Sequence, residues 1–262
     1  MEVFYMIIAF GNYKGGVGKT TATELFSYIL STKMNYKVLA IDTDPQSNLS
    51  EILAKTFKTN LDEDKNIFNP CFKNQTTKEN IQRLSDNLDI LSGSWDMVNF
   101  EKEATTQYKK NSLNKILPTV LKEVQNKYDY ILIDTAPSTD LIMENVLMAI
   151  DYIVVTTQSM PLSFSSTTKF YTYLLDFYHS DETNFDLLGV LPYLIGNSKT
   201  DKEMLEKYKL YFEDDLFKNM IKNSDRVKTW SEIGITEDKP YDKKTLEMYT
   251  HVVNEALNRI GR

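Results

Sequence analysis

The chain has 262 residues, 42% of them hydrophobic and 12% aromatic, and a formal net charge of -7. That length suits one large α/β domain or at most two small ones, and the apolar content suffices for a sizeable core, which excludes a disordered chain. The negative balance excludes a surface that coats nucleic acid everywhere, while leaving room for a local basic patch.

The first segment, MEVFYMIIAFG, has an acidic residue where a signal peptide needs positive charge, and its apolar run is too short to span a bilayer. It reads as a buried strand, Val3–Phe10. No later stretch approaches about 18 consecutive apolar residues. A lone cysteine, Cys71, can form neither an internal disulfide nor a metal cluster, so the expected setting is a reducing cytoplasm and the expected protein soluble.

Further strands are expected at Lys37–Asp42, Leu88–Leu91, Tyr130–Asp134, Tyr152–Thr156 and Leu187–Leu191. Helices are expected at Lys19–Thr32, Ser112–Lys127, Leu141–Ala149, Ser163–Tyr178, Lys202–Leu216 and Lys244–Ile260. Several strands are apolar on both faces, and they alternate with amphipathic segments. That is the pattern of an α/β fold: a mostly parallel twisted sheet with helices on both faces. The polar stretch from Lys55 to Gln82 reads as an excursion before the third strand, and residues 1–262 read as a single domain.

Between the first strand and first helix lies GNYKGGVGKTTAT, residues 11–23. The phosphate-loop pattern G-x-x-x-x-G-K-[ST] fits Gly18, Lys19 and Thr20, but Tyr13 stands where its first glycine belongs. Gly15, Gly16 and Gly18 let the backbone curl around phosphate oxygens, and Val17 completes the turn. The helix start at Lys19–Thr21 adds a positive dipole end. Lys19 is expected to reach the β- and γ-phosphates, and the Thr20 hydroxyl to ligate Mg2+. Asp134 ends the apolar strand YILID, Asp42 ends VLAID, and Asp44 follows in the turn DTDPQ. Three carboxylates at strand tips beside a phosphate loop mark the ligand-binding edge of an open α/β sheet.

KGGVGKTT resembles the deviant Walker A motif of the ParA/MinD class of P-loop ATPases, DTDPQ its Walker A′ motif and ILIDTAPS its Walker B segment. The resemblance runs from Met6 to about Ile260 and is strongest to ParA-type plasmid and chromosome partition ATPases, in the shorter form without a preceding helix-turn-helix. It implies ATP and Mg2+ as cofactors, with Lys14 reaching across a face-to-face homodimer to the partner's phosphates. It implies that Asp44 positions the attacking water and that Asp42 and Asp134 support the Thr20–Mg2+ arrangement. It further implies slow hydrolysis stimulated by a ParB-like centromere-binding protein, and nonspecific DNA binding that associates the ATP state with the nucleoid.

From Lys218 to Arg262 there are nine Lys/Arg against seven Asp/Glu, a local excess of basic charge. The resemblance places DNA contacts here, with SDRVKTWSEIG as the matching segment and Arg226 as its arginine; Lys222, Arg226 and Lys228 are the candidate phosphate-binding cluster, joined by Lys199 or Lys202. The alternative reading, a MinD-like membrane-cycling regulator, needs a basic amphipathic terminal helix. Leu246, Tyr249, Val253, Leu257 and Ile260 instead suggest a helix packed on the core, with Glu247 and Glu255 between them and just Arg259 and Arg262 after the last valine. Trp95 and Trp230 are expected to be packing residues.

Overall fold

The computed structural model describes residues 5–180 and 183–261. In chain order the elements are β1 (Met6–Gly11), α1 (Lys19–Tyr28), β2 (Val38–Asp42), α2 (Asn48–Phe57), α3 (Phe68–Phe72), α4 (Thr77–Asn80), β3 (Ile81–Arg83), β4 (Leu88–Leu91) and α5 (Phe100–Gln107). There follow α6 (Ile116–Lys122), β5 (Tyr130–Asp134), α7 (Leu141–Leu147), β6 (Tyr152–Thr157), α8 (Pro161–Ser180), β7 (Asp186–Pro192), α9 (Lys199–Phe212), α10 (Asp225–Ile233) and α11 (Pro240–Ile260).

The seven strands form one sheet in the order β3-β4-β2-β5-β1-β6-β7. All neighbours run parallel except β3, which pairs antiparallel with β4. The alternation of side chains along a strand explains why these runs are apolar throughout. Ile7 and Ala9 of β1 join the core under α5–α9, whereas Ile8 and Phe10 join the core under α1, α2, α10 and α11. Every strand but the edge strand β3 thus feeds two cores, one per face.

Most expected elements are found, with informative exceptions. Val3 and Phe4 lie outside the described residues, as does Arg262. The helix expected over Ser112–Lys127 is broken into a 3-10 turn at Lys110–Lys115, α6, and another 3-10 turn at Gln125–Lys127. Pro118 cannot sit inside a continuous helix, because its ring would clash with the carbonyl four residues earlier. The helix restarts at Ile116, where Asn145 Oδ1 accepts the N–H groups of Ile116 (2.8 Å) and Leu117 (3.1 Å). The polar excursion ends in β3, an edge strand too short and polar to announce itself.

Helix α9 starts earlier than expected, at the Ser198/Asp201 capping box. Helix α11 likewise starts at Pro240, a residue favoured in a first turn. The apolar face of α11 packs into the core as expected: Leu246, Tyr249, Val252, Val253 and Ala256 are buried. Trp230 is fully buried, but Trp95 is 64% exposed, contrary to the packing role expected of it. It stands in a 3-10 turn just past the end of β4, beyond the reach of either core. No described helix is long and apolar enough to cross a membrane.

Candidate nucleotide site

The loop between β1 and α1 emerges at the C-terminal end of a central strand. Gly16 (φ 73°) and Gly18 (φ 95°) adopt the left-handed backbone that favours glycine. At Gly18 space is also decisive, since a Cβ would lie 2.5 Å from the Tyr193 ring. Tyr13 occupies the place of a motif glycine because its side chain turns away from the loop. It packs edge-on to Phe170, with ring centroids 5.0 Å apart, and against Tyr173 at 5.9 Å. Helix α1 begins at Lys19 with no side-chain cap, so its first N–H groups are available to an anion.

Both lysines are already engaged. Lys19 Nζ donates to the Lys14 carbonyl at 3.1 Å, and Lys14 Nζ donates to Ser163 Oγ at 2.9 Å. Burial lowers the pKa of Lys19, opposed by the charges of Asp134 and Asp44. An arriving phosphate would replace the weak carbonyl partner of Lys19 with a full negative charge.

Across the sheet, Asp42 and Asp134 stand opposite one another in the β2–β5 register, and both are fully buried. Asp42 Oδ2 accepts from Ser50 N–H (2.9 Å) and Ser50 Oγ (2.8 Å), while its Oδ1 accepts from Asp44 N–H (3.2 Å). Burial raises the Asp42 pKa to about 6 despite these bonds. Burial and the neighbouring Asp42 push Asp134 well above the usual carboxylate range, against the pull of a hydrogen bond from Thr20 and the charge of Lys19. Asp134 Oδ2 has no hydrogen-bond partner. A buried, orphaned carboxylate oxygen beside Thr20 and a second carboxylate suits a hard divalent cation. Among the described residues no group of three His, Cys, Asp or Glu side chains could hold a metal alone.

The strand ends therefore bring Lys14, Lys19, Thr20, Asp42, Asp44 and Asp134 to one edge. Sequence reasoning missed Asn12, Ser50, Gln158 and Ser163, whose bonds to the site span between 2 and 149 residues. No local motif marks such partners.

The residues expected to meet DNA are more scattered. Lys222 and Arg226 line one groove of about 710 Å3, together with Lys218, Lys244 and His251. Arg226 is also committed inward: its Nε lies 2.6 Å from the buried Asp242 carboxylate, and its guanidinium stacks over Tyr241 at 4.7 Å. Lys228 pairs with Asp225 on the outer turn of α10, and Lys199 pairs with Glu203 on α9. Arg259, a cation of the terminal helix, donates to the carbonyls of Leu188, Asp215 and Leu216.

A family model described as an AAA domain matches residues 5–187. An uncharacterized protein of Methanocaldococcus jannaschii is 37% identical over 156 residues, covering 57% of this chain and 58% of that protein. The sporulation initiation inhibitor protein Soj of Bacillus subtilis is 26% identical over 223 residues, 84% of this chain and 85% of Soj. The fold is similar to that of a Cyanothece McdA variant in complex with ATP, with a TM-score of 0.84 and 19% identity over 97% of this chain and 96% of that one. The chain belongs to the AAA-domain family matched over residues 5–187 and, within it, to the ParA/Soj-like group of partition ATPases.

Proposed function

We propose that this chain is a partition ATPase that binds Mg-ATP, forms a homodimer around it, and binds DNA without reading sequence. The observation that carries the reading is the convergence of two lysines and three aspartates at the ends of adjacent strands β2, β5 and β1. The run Gly15, Gly16, Val17, Gly18, Lys19, Thr20, Thr21 would cradle the phosphates, with Lys19 on the β- and γ-phosphates. Thr20, Asp42 and Asp134 would hold Mg2+. That ion would supply positive charge to offset the charge of the phosphates.

Lys14 is the residue that separates this reading from an ordinary nucleotide binder. Lys19 already serves the loop's own phosphates, and Lys14 Nζ rests on the Ser163 hydroxyl, a neutral partner it can leave at little cost. Released, it would stabilise charge on the partner subunit's departing phosphoryl group. Asp44 would orient the attacking water. Hydrolysis by the chain alone is then slow, and a ParB-like centromere-binding protein would complete the site. DNA would meet the groove holding Lys222 and Arg226, flanked by Lys228, with Lys199 an outlying contact. Two such grooves in one ATP dimer make a weak footprint effective, which would tie nucleoid association to ATP.

Lys14→Ala is the direct test. Nucleotide affinity should stay within about threefold of wild type, because the helix start and Lys19 are intact. ATP-dependent dimerisation, read by light scattering, should vanish along with hydrolysis. A dimeric, fully active variant would sink the assignment.

A further inference from the structure

A polar chain, buried except at its last link, closes on the phosphate loop from both sides. Asn12 is fully buried at the loop's entry, and its Oδ1 accepts the Lys14 N–H at 3.1 Å. Its Nδ2 donates to the Thr156 carbonyl (2.7 Å) and to Thr167 Oγ1 on α8 (3.0 Å). Thr167 Oγ1 lies 2.7 Å from Thr157 Oγ1, which lies 2.5 Å from the Tyr208 hydroxyl on α9. That hydroxyl donates to the Gln158 carbonyl (3.2 Å), and Gln158 Nε2 donates to the Gly16 carbonyl (2.8 Å). The path leaves the loop at Lys14 and returns at Gly16.

The direction of every proton follows by elimination. Asn12 Nδ2 can only donate, so Thr167 accepts there and passes its own hydrogen to Thr157. The Gln158 carbonyl can only accept, so Tyr208 donates to it and accepts from Thr157. Each of the three hydroxyls accepts one bond and donates one, an arrangement that polarises its members in the same sense. Burial raises the Tyr208 pKa, which keeps its hydroxyl protonated and donating. Thr157, Thr167 and Tyr208 have no exposed surface, so water cannot replace a missing member. The later part of the loop is held differently, by α1 and by the Tyr193 ring against Gly18.

We propose that Tyr208, Thr167 and Thr157 are positioning residues that fix the Lys14–Gly16 segment and, through it, the placement of Lys14. The inference deepens the nucleotide-site reading and rests on it for its catalytic consequence, though not for the ordering of the loop.

The test uses the full chain and three substitutions. Thr167→Val and Tyr208→Phe each remove one hydroxyl from a different helix while keeping shape, and Thr167→Ser retains it. Hydrogen–deuterium exchange of the nucleotide-free protein is followed over residues 13–16, with β2 as the internal control. Exchange in that segment should quicken by about tenfold in the Val and Phe variants, the fold-change expected for one ordinary hydrogen bond. β2 should be unchanged, and Thr167→Ser should match wild type. Single-turnover ATP hydrolysis should slow by about tenfold, while the Kd for a fluorescent ATP analogue moves less than about threefold. Unchanged exchange over residues 13–16 in both variants, or a Thr167→Ser protein as fast as Thr167→Val, overturns the positioning role whatever the protein hydrolyses. A wild-type chain that binds no ATP overturns the nucleotide reading and the catalytic consequence, and leaves the exchange result standing on its own.

Discussion

Asp42 and Asp134 are register partners on adjacent strands and both are fully buried. Both are raised carboxyls, so their contribution favours the folded state below the ordinary carboxylate pKa and is lost as pH climbs. For Asp42 the window lies between 3.8 and about 6. A rise of that size corresponds to on the order of 3 kcal/mol. Asp134→Asn removes one member of the pair and should make the nucleotide-free protein more stable than wild type at pH 7. Its advantage should shrink toward pH 5, below the value of about 6 to which Asp42 is raised. Urea unfolding of both proteins at the two pH values checks this, and the difference cancels titrations elsewhere. The same variant should lose most of the stabilisation that Mg-ATP gives wild type. Much of this site was legible from single residues: glycines, lysines and strand-end aspartates carry their chemistry within short motifs. Ser50 was not, because the hydroxyl that holds Asp42 sits in the next helix with nothing local to mark it.

At the scale of elements, α10 and α11 are latched by one ion pair. Asp242 is fully buried and accepts from Thr236 Oγ1 (3.0 Å) and Lys239 N–H (3.1 Å), besides its contact with Arg226. Removing one partner of a buried pair strands the other charge, at a cost of about 3–5 kcal/mol. Arg226→Ala should therefore lower the denaturant midpoint markedly, and adding Asp242→Asn should recover part of the loss. Weakened DNA binding by Arg226→Ala would then report a sprung latch as readily as a lost contact. Lys222→Ala, whose side chain lines the same groove without that duty, is the cleaner probe. Arg226 and Lys228 lie on a helix that sequence reasoning does not anticipate. Ser224 and Gly234 bracket α10 as cap residues, but nine residues give too few turns for periodicity to show. The break before Ile116 has a local mark in Pro118, but its cap has none, since that comes from Asn145 in a different helix.

The whole molecule carries a net charge of -7 and yet concentrates lysines on one groove. Nonspecific DNA binding should thus be sharply salt-sensitive, because attraction at the groove works against repulsion from the rest of the surface. Binding measured with ATP, ADP and no nucleotide at two salt concentrations should rank ATP first, and doubling the salt should weaken it severalfold. ATP-promoted binding to liposomes in place of DNA would contradict this. The sheet was legible at this scale because strands buried on both faces write continuous apolar runs. The edge strand β3, IQR, has no such signature, and its place depends on β4 being there to receive it.

Both margins of the sheet are closed, by different means. On one side β3 is just three residues long. On the other, Phe217 N–H donates to the Val190 carbonyl beside β7, and Arg259 clamps the strip by its three carbonyl bonds while stacking on Phe217 at 4.4 Å. An open β7 margin would be a template for strand addition between copies, the route to uncontrolled polymerisation. If assembly is switched by nucleotide as proposed, that guard leaves the loop-bearing edge as the place where two copies would meet.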